Sequence, residues 1–95
     1  MQLTAPRYLA ELDAAKHQHP MDWNSPEKDL FEKVIGRITV RVMIVKPGRY
    51  DWLVLHERGG RLQAGTDETL TLAKLQALGW CEQWVRAGHL QGLLS

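Results

Sequence analysis

The stretch from Arg37 to Val45 constrains this chain most: Ile38, Val40, Val42 and Ile44 alternate with Arg37, Thr39, Arg41 and Met43. A period of two in a run rich in β-branched residues is the pattern of a strand with one face in a core and the other outside. Such a strand needs hydrogen-bonding neighbours and a layer over its apolar side, and the flanking sequence supplies both. Lys46-Pro47-Gly48-Arg49 reads as a turn and Trp52 to His56 as a second strand. Gly59-Gly60 reads as a two-residue hairpin loop and Arg61 to Ala64 as a short third strand. The middle of the chain is therefore expected to be a three-stranded antiparallel meander.

Helical signals lie on either side. Thr4 is placed as an N-cap and Pro6 in a first turn, and Tyr8, Leu9, Leu12 and Ala15 recur at helical spacing, which predicts a helix over about 5–18. Pro20 makes the following residues a loop. Ser25-Pro26-Glu27 reads as the start of a second helix carrying Leu30, Phe31, Val34 and Ile35 on one face, with Gly36 as its left-handed cap. After the strands, Thr66 to Thr69 opens a helix with Leu72, Leu75 and Leu78 on one side. Gly79 interrupts it, and a further helix covers Trp80 to Ala87 and ends at Gly88. Trp80 and Trp84 share a face of that helix.

Ninety-five residues leave room for one core, so the expectation is a single α+β domain over 1–95. Its order is α-α-β-β-β-α-α, with the helices packed on one face of the sheet. With 44% hydrophobic and 24% charged residues the chain has the balance of a folding globular domain rather than a disordered one. The longest apolar run, Val42 to Val45, falls far short of the roughly 20 residues a membrane-spanning helix needs. Arg7, Glu11 and Asp13 interrupt what would be the apolar part of a signal peptide, and a single cysteine forms no internal disulfide. Both suggest the cytoplasm.

The net charge of +1 conceals an uneven distribution. Residues 36–65 carry Arg37, Arg41, Lys46, Arg49, Arg58 and Arg61 against Asp51 and Glu57, while both flanks are slightly acidic. With Pro47-Gly48 and Gly59-Gly60 as plain two-residue turns, Val42 lies opposite Leu53, Val40 opposite Leu55 and Thr39 opposite His56. Arg58 then faces both Arg37 and Arg61, and His56 faces Gln63. One face of the meander collects Ile38, Val40, Val42, Ile44, Leu53, Leu55 and Leu62 under the helices. The other collects Arg37, Arg41, Tyr50, Trp52, His56, Arg58 and Arg61. Arginines opposite one another across strands are unfavourable unless an anion lies between them. Guanidinium groups beside aromatic rings suit carboxylate or phosphate recognition.

Other constellations carry less. His17, His19 and Asp22 resemble a partial metal-ligand set, but residues two apart on a helix point in opposing directions, and exposed histidines at a frayed helix end account for them. Cys81 follows Trp80 in an apolar setting and reads as a buried thiol. Asp51, Glu57, Asp67 and Glu68 have the spacing of turn and cap residues rather than of a catalytic pair. Neither a dinucleotide nor a P-loop glycine pattern is present. The helix, break and helix from Thr71 to Gly88 loosely echo helix-turn-helix spacing but offer only Arg86 as a cation in the second helix. The expected function is a non-enzymatic interaction or regulatory module, of adaptor or inhibitor type, that binds an acidic protein partner through the arginine-rich face. No metal and no cofactor are expected. A nucleic-acid binder using the same face is the alternative, and a small enzyme relying on His56 or Cys81 a weaker one. A homodimer through Trp23, Trp80 or a strand edge is compatible with the sequence.

Overall fold

A computed structural model describes residues 4–57 and 60–88. Helix α1 (Ala5–Lys16) leads through a short 3-10 turn (Pro20–Asp22) into strands β1 (Asn24–Glu27), β2 (Leu30–Ile35), β3 (Ile38–Lys46), β4 (Arg49–His56) and β5 (Arg61–Asp67), and helix α2 (Leu70–Arg86) follows. The strands form one antiparallel sheet in the order β1-β2-β3-β4-β5. Helix α1 packs on β2, and α2 crosses β3, β4 and β5 beside it. The α+β class and the helical layer over the sheet agree with the sequence reading, but the meander has five strands rather than three.

The two extra strands replace the expected second helix. Leu30, Phe31, Val34 and Ile35 fit helical spacing, yet Phe31 and Ile35 also fit a strand, and they are buried beside Val42 and Ile38. Turn chemistry decides between the two. Gly36 adopts φ +58 at the first position of a two-residue turn that joins Ile35 to Ile38. The Ser25 hydroxyl caps no helix; it donates to the carbonyls of Glu27 and Leu30, both at 2.9 Å, and so ties together the turn at Lys28-Asp29.

Ile38, Val40 and Val42 are fully buried, as the alternation predicts, together with Val54 from β4. Above them lie Tyr8, Leu12 and Ala15 of α1 and Ala73, Ala77, Leu78, Cys81 and Val85 of α2. The buried face of α2 differs from the expected one. Its small residues Ala73, Ala77 and Cys81 face inward, which lets α2 approach α1 and the sheet closely, while Leu72 and Leu75 are exposed. Gly79 does not break the helix. It costs about 1 kcal/mol in a helix interior, less than the burial of Leu78, Cys81 and Val85 on either side of it contributes. Thr69 caps the start, its hydroxyl accepting from the Leu72 N–H at 3.1 Å, and Gly88 closes the end with φ +87.

Polar contacts lock the two helices together. The buried Lys74 ammonium donates to the carbonyls of Lys16 and Gln18 at 2.7 and 2.8 Å, satisfying acceptors at the C-terminal end of α1 where a cation is favoured. Burial holds its pKa below the ordinary lysine value. Lys16 and Arg86 both pair with Glu82, and hydrogen bonds from Lys16 first and Arg86 second hold that carboxyl below its usual range. The Tyr8 hydroxyl accepts the Arg37 N–H at 3.0 Å and pins α1 to the β2–β3 turn.

Two glycines should respond to alanine in opposite ways. A methyl at Gly79 meets nothing within 4 Å, so Gly79→Ala should stabilise by about 1 kcal/mol and raise Tm by roughly 4–8 °C. At Gly36 the added carbon collides with the Tyr8 phenol and φ is left-handed, so Gly36→Ala should cost more than about 1 kcal/mol. Thermal and urea denaturation of the two variants measure both effects.

Candidate interaction surface

The face of the sheet away from the helices is set by one residue. Lys46 pairs with Arg49 across Pro47-Gly48, as the turn predicts, but Ile44 pairs with Tyr50, so Val45 is an extra residue bulged out of β3. Beyond it Val42 lies opposite Trp52, Val40 opposite Val54 and Ile38 opposite His56. A shift of one residue exchanges the faces of a strand. The expected pairing of Val42 with Leu53 and Val40 with Leu55 is therefore corrected, and every side chain of β4 lies on the opposite face from the one read from the sequence.

The sequence contains the cause. Regular two-residue hairpin turns need positive φ at their first central residue, and Pro47 has its φ fixed near −65°. The left-handed residue is instead Gly48, at φ +83, the arrangement that a bulge accompanies. A second irregularity adjusts β5: Val54 pairs with Gln63 and Leu55 with Arg61, so Gln63 faces Val54 rather than His56.

These shifts divide the expected set of contact residues. Trp52 is buried in the core, and Tyr50 packs against the same core, so neither ring lies on the outer face. His56 is half-buried on the inner side opposite Ile38, and its backbone N–H donates to Gly60 at 2.8 Å. Arg37 sits in the β2–β3 turn, 3.3 Å from Glu57. Arg58 lies outside the described residues. Among the described residues of the set, Arg41 and Arg61 remain together on the outer face.

Those two arginines line one groove of about 370 Å³ with Met43, Asp51, Leu53, Ala64 and Thr66. Arg41 is held by Glu32 at 3.1 Å, and Asn24 donates to the other oxygen of that carboxylate at 3.4 Å. Asp51 accepts from the Thr66 hydroxyl at 2.8 Å. Arg61 is exposed and has no carboxylate within 4.0 Å among the described residues. The groove thus has an apolar floor, a cation paired with Glu32, a carboxylate, Asp51, paired with Arg49 at 3.5 Å, and one cation, Arg61, without an ion-pair partner among the described residues. Met43 already stood on the outward alternation of β3, whereas Leu53 and Ala64 were missed as surface residues because the bulge was missed; Pro at the first turn position was the signal that would have found them.

A second cleft, also of about 370 Å³, lies between α2 and the β4–β5 hairpin and is lined by Trp52, Trp80, Gly79 and the amides of Gln63, Gln76 and Gln83. Cys81 is fully buried, and burial pushes its thiol up to about 12. His19 Nδ1 accepts the Met21 N–H at 3.1 Å, and no group of three His, Cys, Asp or Glu side chains among the described residues is placed to hold a metal ion. No described helix is long and apolar enough to cross a membrane. Compared with protein-family models, curated proteins and solved structures, the chain matches none.

The exchange of faces has a direct energetic signature. Trp52→Ala should cost about 3–5 kcal/mol, as removal of a buried aromatic does, whereas Arg41→Ala should cost at most about 1 kcal/mol, the worth of an exposed ion pair. Urea denaturation separates the two, and comparable small costs would return Trp52 to the surface. Cys81 should resist a thiol reagent at neutral pH in the folded protein and react at once in denaturant; prompt labelling of the native chain would show an accessible thiol.

Proposed function

We propose that the chain is a non-enzymatic protein-interaction module of adaptor or inhibitor type, which uses the outer face of its sheet to hold an acidic segment carrying an apolar side chain. The observation that carries this reading is the groove between Arg41 and Arg61. Its floor of Met43, Leu53 and Ala64 offers apolar area, and Arg61 offers a guanidinium with free donors for a carboxylate. Three adjacent strands, β3, β4 and β5, form that floor, and no helix of the described residues lies over it, so the surface is built on hydrogen-bonded sheet rather than on loops.

The nucleic-acid reading loses its aromatic support, because stacking requires exposed rings and Trp52 is buried while Tyr50 packs inward. Arg41 is also committed to Glu32, which lowers its value for a phosphate. The enzyme reading is weaker for a related reason: a thiol held at about 12 supplies no thiolate near neutral pH.

Fluorescence polarisation with labelled peptides tests the proposal. Leucine-bearing peptides rich in Asp and Glu should bind more tightly than the same peptides rich in Lys. Arg61→Glu and Leu53→Asp should each weaken that binding at least tenfold, a loss of about 1.4 kcal/mol. Arg7→Glu, an identical charge change at an exposed position of α1, should leave binding unaltered. Equal effects of Arg61→Glu and Arg7→Glu would reject the groove. Oligonucleotides that bind tightly at low salt and are released by Arg61→Glu would move the assignment to nucleic acid.

A further inference from the structure

We infer that β5 is a self-association edge, and that two copies of the chain pair through it in antiparallel fashion to make one continuous ten-stranded sheet. The two edges of the sheet differ. β1 is four residues long, contains Pro26 and shifts register between Asn24 and Glu27, features that blunt an edge. β5 has seven residues, no proline and no lysine, and from Gln63 to Asp67 it pairs with β4 without irregularity. Its other side carries no strand in the described structure, which leaves its edge to a second strand, apart from the Ala64 N–H, which donates to the Gln63 side-chain carbonyl at 3.2 Å and exchanges that local bond for one across the seam.

Charge selects the occupant and the direction. β5 begins with Arg61, ends with Asp67 and is followed by Glu68, and none of the three has an ion-pair partner among the described residues. Antiparallel alignment of two copies brings the positive end of each β5 to the negative end of the other, although Arg61 projects from the outer face and Asp67 from the inner; parallel alignment brings like ends together. Centring the twofold axis on Gly65, the middle of the regular stretch, places Gln63 opposite Asp67 and Ala64 opposite Thr66 of the second copy. Each such pair shares a face, since Gln63, Gly65 and Asp67 lie inward and Ala64 and Thr66 outward. Gly65 has no side chain to obstruct the axis.

The helical layer fits the same geometry. With α2 over β4, two copies of the helix stand three strand spacings apart, about 14 Å, wider than the 8–10 Å of direct helix packing. The side of α2 toward β5 carries Trp80, stacked on Trp84 with centroids 6.2 Å apart, and the amides of Gln76 and Gln83. An indole from each copy reaches into that gap, and the cleft itself, lined by indoles and amides, brings no charge of its own to the contact.

Sedimentation velocity of the purified chain, from about micromolar to about 0.5 mM, tests the inference independently of peptide binding. The expected result is a concentration-dependent monomer–dimer equilibrium. Gln63→Lys, facing Asp67 of the second copy, should tighten it, and Gln63→Glu should weaken it at least tenfold, with circular dichroism unchanged in both. A chain that stays monomeric throughout, a dimer that responds alike to both substitutions, or one lost only on Leu53→Asp would overturn the β5 pairing. Each of these outcomes leaves the outer-face groove to be judged on its own test.

Discussion

The bulge at Val45 is the constraint from which the rest of the molecule follows. By displacing one residue it turns Tyr50, Trp52, Val54 and His56 toward the helices and Asp51, Leu53 and Leu55 away from them. Trp52 then fills the core beside Val42 and lies against Gly65, the only residue type that leaves room for its indole there. The outer face receives medium-sized apolar side chains in place of the rings. Without the bulge the core would lack its largest strand residue and the surface would carry an exposed tryptophan among arginines.

The helices are held by a different kind of interaction. Their buried faces mix large residues, Tyr8, Leu12, Leu78 and Val85, with small ones, Ala15, Ala73, Ala77 and Cys81, and the small ones permit a close approach but contribute modest apolar area each. Lys74 adds specificity by reaching the end of α1, and the Lys16–Glu82–Arg86 cluster fixes the rotation of α2 from the exposed side. Most of the stabilisation comes from apolar burial and the polar contacts select one docking of it, a division in keeping with the small net worth of exposed ion pairs.

Much of this was legible in the residues. The β3 alternation, a helix start within Thr66 to Thr69 and a helix end at Gly88, and the α+β class with helices over a meander all rest on local chemistry that the fold keeps. Three features were not. The segment from Asn24 to Ile35 satisfies helical and strand periods at once, and only its pairing with β3 resolves it. Gly79 carries a local penalty that tertiary burial overrides. The composition of the outer face depends on a register that spacing alone misplaces by one residue, so of the six described members of the expected cluster Arg41 and Arg61 are the two that share the outer face, although Pro47 announced the irregularity.

The link between the ends of the fold also bears on how it assembles. All four hairpins join strands adjacent in the chain, whereas Lys74 and the carbonyl of Lys16 are separated by 58 positions. Closing a long loop costs entropy before any contact compensates for it, and local pairings are made fastest. The chain is therefore organised to zip its meander from neighbouring turns and to clasp α1 against α2 as the closing act, with the ammonium of Lys74 as the latch.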